Sequence, residues 1–119
     1  MPIEYIQHKG KKIMFADYRS CKQEVQQLEL LENVAKEMAK FPEQTLLLVD
    51  YDGVSGGIAY MTRVKELGNT VFKKHMKNSA VLGITGLKKV LFNGYNRATG
   101  TNNVKTFNTR EEALDWLVG

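Results

Sequence analysis

The run Thr45-Leu46-Leu47-Leu48-Val49-Asp50 constrains this chain more than any other stretch. Four consecutive large aliphatics leave no polar face, so a strand built from them needs cover on both sides, as inside a parallel α/β sheet. The run passes directly into Tyr51-Asp52-Gly53-Val54-Ser55-Gly56-Gly57. Acidic, hydroxyl and glycine residues after a buried strand are the composition of a functional loop, because open α/β sheets place ligands beyond the carboxyl ends of their strands. An architecture and a location follow from this stretch. A reaction does not.

The flanking sequence supplies the other elements. Ile3–Gln7 and Lys12–Ala16 are two strand segments separated by His8-Lys9-Gly10, which predicts an antiparallel hairpin. Ser20 with Gln23 three residues on has the spacing of a capping box, opening a helix with Val25, Leu28, Leu31, Ala35 and Met38 on its inner stripe and ending before Pro42. After Gly56-Gly57 a second helix is expected, with Ile58, Met61, Val64 and Leu67 inward, a break near Gly68-Asn69 and a further turn at Val71-Phe72. Ser79–Ile84 is a third buried strand. Thr85 then caps a helix through Leu87, Val90, Leu91 and Tyr95 that Gly100 ends. Val104–Phe107 is the last strand, and Thr109-Arg110-Glu111-Glu112 caps a final helix with Ala113, Leu114, Trp116 and Leu117 inward. The expected fold is one α/β domain over residues 1–119: an N-terminal antiparallel edge strand and four strand–helix units in a mainly parallel sheet.

Composition excludes several classes of function. With 119 residues, 43% hydrophobic and 25% charged, the chain has the balance of a folded soluble domain. A single cysteine, Cys21, leaves no intrachain disulfide and fits a reducing compartment. No apolar run approaches the roughly 20 residues that span a bilayer, and the N-terminus lacks a signal-peptide hydrophobic region, so the expected location is cytoplasmic with no membrane partner. The net charge of +4 is modest, and the densest basic group, Lys73, Lys74, His75 and Lys77, has only Phe72 beside it. The arginines and interleaved aromatics of a nucleic-acid patch are missing, which argues against that partner.

Four strand ends can carry chemistry: Asp17-Tyr18, Asp50 to Gly57, Thr85-Gly86 and Asn108-Thr109. Asp17, Asp50 and Asp52 come towards one edge, where carboxylates can hold a cation or split acid and base roles. No histidine, cysteine or glutamate at a matching spacing completes such a site, so no catalytic residue, metal or cofactor is expected. Gly83-Ile84-Thr85-Gly86-Leu87-Lys88-Lys89 brackets a helix start with glycines, but it matches neither phosphate-loop pattern and is expected to serve packing and capping. Cys21, placed in a first helical turn, has only His8 and His75 as bases, both in expected surface turns. Ser55 precedes a helix start, where a phosphate would meet free amides, although a serine before two glycines also serves as a simple cap.

The strings Ala80 to Leu91, Asn96 to Gly100 and Phe107 to Leu117, with the hairpin leading to Asp17-Tyr18 and the Leu48-Val49-Asp50 strand, resemble small bacterial proteins of the STAS-like, SpoIIAA-like group. The resemblance implies an N-terminal antiparallel strand and a superhelix of four strand–helix turns, in agreement with the count above. Because no catalytic constellation is complete, the leading reading is a non-enzymatic interaction or regulatory module of this type, binding a protein partner through the loop and helix after the central strand. In the anti-sigma factor antagonists of that superfamily, a serine at the start of this helix is phosphorylated; Ser55 lies at that place, in a shorter loop without the usual Asp-Ser-Ser-Gly. The alternative is a small-ligand sensor, for an anion or nucleotide, or a small enzyme using the strand edge. The residues expected to meet a partner or ligand are Asp17, Asp50, Asp52, Ser55, Gly56, Thr85 and Gly86. Any part of the Leu46–Val49 strand left uncovered would favour a homodimer.

Overall fold

The computed structural model describes residues 2–85, 96 and 103–119. The helix expected through Leu87, Val90, Leu91 and Tyr95, its end at Gly100, and Gly86 lie outside those residues. Five strands form one mixed sheet: β1 (Ile3–His8), β2 (Lys11–Asp17), β3 (Thr45–Asp50), β4 (Met76–Leu82) and β5 (Val104–Phe107). Four helices are described with them: α1 (Glu24–Ala39), α2 (Ile58–Gly68), α3 (Val71–His75) and, after β5, α4 (Arg110–Val118). The strands lie in sequence order, with β1 antiparallel to β2 at one edge and the rest parallel. β3 is therefore central, as its unbroken apolar run requires.

The hairpin closes on a two-residue turn in which Lys9 and Gly10 both have positive φ, 51° and 80°, while His8 pairs with Lys11. Such a turn matches the right-handed twist of the strands it joins. Alternation along β3 then divides the interior in two. Leu47 and Val49, with Met14 and Ala16 of β2, pack under α1, α2 and α3. Leu46 and Leu48 join Ile13, Phe15, Ala80 and Leu82 under Ala113, Leu114 and Leu117 of α4. Leu46 to Val49 keep 8% or less of their surface exposed. The strand is covered on both faces by its own chain, so the uncovered remainder that would have favoured a homodimer is not there.

Three local expectations need correction. Helix α1 starts at Glu24 and is capped at Gln23, whose backbone N–H donates to Gln26 Oε1 at 3.0 Å. Ser20 does not cap it, because Cys21 N–H donates to Tyr18 O (2.8 Å) and Lys22 N–H to Ser20 O (3.1 Å), holding Ser20–Lys22 in turns. Val25 consequently points outward, and Leu30, Leu31, Val34, Ala35 and Met38 fill the inner stripe. In α2 the inner stripe is Tyr60, Val64 and Leu67, while Ile58 and Met61 face solvent. The break after Gly68 is present, with Asn69 as the C-cap and α3 following. β4 begins at Met76, three residues before its expected start.

Candidate functional site

The carboxyl ends of β2 and β3 lie side by side, with Asp17 in register with Asp50. Sequence reasoning brought these carboxylates together, and they are together, but an arginine stands between them. Arg19 donates through Nε to Asp17 Oδ1 (2.9 Å), through a terminal nitrogen to Oδ2 (2.8 Å), and through its backbone N–H to Oδ1 (3.0 Å). Its Nε is also 3.6 Å from Asp50 Oδ2. A bidentate guanidinium is among the strongest hydrogen-bonding partners a carboxylate finds in a protein. Those hydrogen bonds hold the Asp17 carboxyl below its ordinary range and raise the arginine in turn. Asp50 Oδ1 further accepts from Asp52 N–H at 3.0 Å, which turns the chain out of the strand. Among the described residues no group of three or more histidine, cysteine, aspartate or glutamate side chains is placed to hold a metal.

Directly beneath this edge is a cluster that sequence reasoning missed. Tyr18 follows β2, Tyr51 follows β3 and Tyr60 points in from α2. The Tyr18 and Tyr51 ring centroids are 4.6 Å apart, Tyr18–Tyr60 5.8 Å and Tyr51–Tyr60 6.1 Å. The Tyr51 and Tyr60 hydroxyls hydrogen-bond to each other. Burial favours the neutral phenols, pushing Tyr51 up to about 12 and Tyr18 and Tyr60 well above the usual tyrosine value. The signal was present in the sequence as a repeated dipeptide, Asp17-Tyr18 and Asp50-Tyr51, ending two strands that pair in register.

The loop from Tyr51 to Gly57 is held at several points. Tyr51 N–H donates to Leu82 O (2.9 Å), Val54 N–H donates to Tyr51 O (2.9 Å), and the Val54 side chain is buried. The buried Gln27 amide donates to Cys21 O (3.1 Å) and Ser55 O (3.2 Å), tying this loop to the one before α1. Gly83 has a φ of 83°, and a Cβ there would overlap the Asp52 backbone. The β3 and β4 ends thus approach as closely as glycine allows.

Ser55 is exposed but lies two residues before Gly57, which is the N-cap of α2. Its expected capping role is therefore filled by glycine. Gly56 sits against the Tyr60 ring, and the Glu24 carboxylate occupies the space a Gly57 side chain would need. Thr85 is exposed three residues beyond β4. Cys21 lies in the turn before α1, not in a helical turn, and burial pushes its thiol up, opposite to an activated nucleophile.

Beyond the loop, α2 turns large apolar side chains outward: Ile58 is 88% exposed and Met61 38%. Gly56, Gly57, Thr62 and Lys65 complete a shallow open depression around them. Comparison with family models, curated proteins and solved structures returned no match for this chain. No described helix is long and apolar enough to cross a membrane.

Proposed function

We propose that this chain is a non-enzymatic interaction module of the STAS-like type, binding a protein partner through the Tyr51–Gly57 loop and the outer face of α2. One observation carries the reading. Ile58, a large aliphatic on the helix that follows the central strand, is almost wholly in water although α2 has buried Tyr60 and Leu67 on its other side. An exposed aliphatic beside a second one and two glycines has the makings of an interface centre. The loop that frames it is anchored, so the surface is largely pre-organised for rigid docking.

Two observations weigh against turnover at this edge. The strand-end carboxylates are engaged by Arg19, and the Cys21 thiol is held neutral by burial. Ser55 is the place where the module would be regulated. A phosphate on it would place about two strongly hydrated negative charges next in sequence to the Gly56, Gly57 and Ile58 patch, which a partner's aliphatic side chains must dry on docking. Ser55→Asp should weaken partner binding and Ser55→Ala should not.

The test is site-specific photo-crosslinking in cells that express the chain. A crosslinker at Ile58 should capture one discrete partner, and capture should vanish when Met61→Asp is added. A crosslinker at Asn33, on the exposed side of α1, should not capture it. Equal capture from both positions would remove the α2 face from consideration.

A further inference from the structure

We propose that the partner segment docking on α2 is a dipolar amphipathic helix, with a cation against Glu24, aliphatic side chains over Ile58 and Met61, and a carboxylate against Lys65. This deepens the partner-binding reading and rests on it. Ile58, Met61 and Lys65 are spaced i, i+3 and i+7, so they share one stripe of α2. The other charges of that helix are turned aside. Arg63 donates to Glu32 of α1 at 2.6 and 3.0 Å and lies 3.8 Å from Glu66. Lys65 is the cation of the stripe, and it makes no ion pair among the described residues.

The opposite end of the stripe is negative. Glu24 sets its carboxylate against Gly57, the first cap of α2, and can do so only because residue 57 has no side chain. That is where the helix macrodipole favours an anion. Glu24 likewise has no cation within ion-pair distance among the described residues. The face therefore runs from carboxylate through two aliphatics to ammonium, with about 10 Å of helix rise between Ile58 and Lys65. A helix lying along α2 can meet this pattern with opposite charges about two turns apart and aliphatics between them. A polyanion or an anionic membrane surface would meet Glu24 at the apolar end, which disfavours both.

Each exposed charge pair adds little affinity but fixes which segments fit and which way they lie. The test uses synthetic helical peptides of about five turns. All share one aliphatic face, and the flanking charges are dipolar, all-Glu, all-Lys or all-Gln. Binding to the full chain is read by fluorescence anisotropy at low salt. The natural chain should prefer the dipolar peptide by about threefold over each single-sign peptide. Lys65→Glu should move the preference to the all-Lys peptide, and Glu24→Lys to the all-Glu peptide. Glu24→Gln, which keeps the side-chain shape, should erase the preference at that end alone. Ile58→Asp should weaken every peptide by about tenfold or more.

If Ile58→Asp weakens all peptides but charge arrangement changes nothing, the dipolar partner is wrong while the α2 site stands. If no peptide responds to Ile58→Asp, both fall. Binding to vesicles of anionic lipid that exceeds any peptide and rises with Glu24→Lys would replace the partner helix with a membrane surface.

Discussion

The two faces of the sheet bury similar aliphatic residues but end differently. Among the described residues, the core between the sheet and α4 is purely apolar: Ile13, Phe15, Leu46, Leu48, Ala80 and Leu82 against Ala113, Leu114 and Leu117. Among the described residues, the nine-residue helix α4 closes it. The hairpin turn helps hold that helix, with His8 Nε2 2.8 Å and Lys9 Nζ 3.1 Å from Asp115 Oδ1, and Lys11 Nζ donating to Val118 O at 3.3 Å. The core under α1, α2 and α3 instead ends in Tyr18, Tyr51, Tyr60 and the Cys21 turn, where the strands give way to loops. The first arrangement only seals. The second seals and also shapes a surface, because hydroxyls and a buried amide fix the loop that carries the proposed interface.

That contrast is easiest to break in the sealing core. Leu48 is fully buried, and Leu48→Ala should cost about 4 kcal/mol, because one short helix cannot collapse far into the cavity. Leu47→Ala, across the same strand but beneath three helices that can shift, should cost about 3 kcal/mol. Urea unfolding of the two variants measures the difference, and equal losses would mean that both faces relax alike. Backbone contact gives a second comparison. Gly10 and Gly83 both have positive φ, but Gly10 has open space around it whereas Gly83 abuts the Asp52 backbone. Gly10→Ala should cost about 1 kcal/mol and Gly83→Ala at least about 2 kcal/mol. Amide exchange should rise at Val54 only in the second.

The sealing core was legible because its signals are periodic and local. A run with no polar face predicts a central strand, and Thr109 followed by Glu112 predicts a cap that the structure forms, with Glu112 N–H donating to Thr109 Oγ1 at 3.2 Å. The site was legible only in part. Asp17 and Asp50 could be placed at one edge by counting strands, but nothing in their spacing shows that Arg19 folds back between them. Helical period located an apolar stripe at Ile58, Met61, Val64 and Leu67, yet period alone does not say which stripe meets the sheet. Tyr60 decides that, and its ring counts as half polar in any pattern. Ser20 has the correct spacing to Gln23 for a cap, but the tight turn at Tyr18–Cys21 that prevents it has no signal in that spacing.

A smaller effect should come from the phenols. Tyr51→Phe keeps the ring against Tyr18 and removes one hydroxyl from the cluster, leaving Tyr60 to find another partner, at about 1 kcal/mol. The pH dependence is more telling. Tyr18, Tyr51 and Tyr60 all titrate higher folded than unfolded, so their contribution is complete below the usual tyrosine value of about 10 and is lost as pH rises beyond it. For Tyr51 the loss runs to about 12. Urea midpoints should fall steeply in that window, and less steeply in Tyr51→Phe. An identical slope in both proteins would detach the cluster from the stability of this face.

The smallest expected effect belongs to the ion pair that closes the carboxylate edge. Asp17 is held below its ordinary range by Arg19, so its contribution is present above the unfolded carboxylate value and disappears as pH falls through the lowered one. Arg19 is half exposed, so solvent screening keeps the contribution of the pair small. Asp17→Asn should lose less still, because Arg19 already reaches towards Asp50 and can turn to it. The variant and the natural chain should therefore differ slightly near neutral pH and converge in acid, where both lack the charged carboxylate. Molar salt should narrow the neutral-pH difference as well. A gap that persists unchanged at about pH 2 would show that Asp17 acts through the turn its side chain makes with the Arg19 backbone rather than through charge.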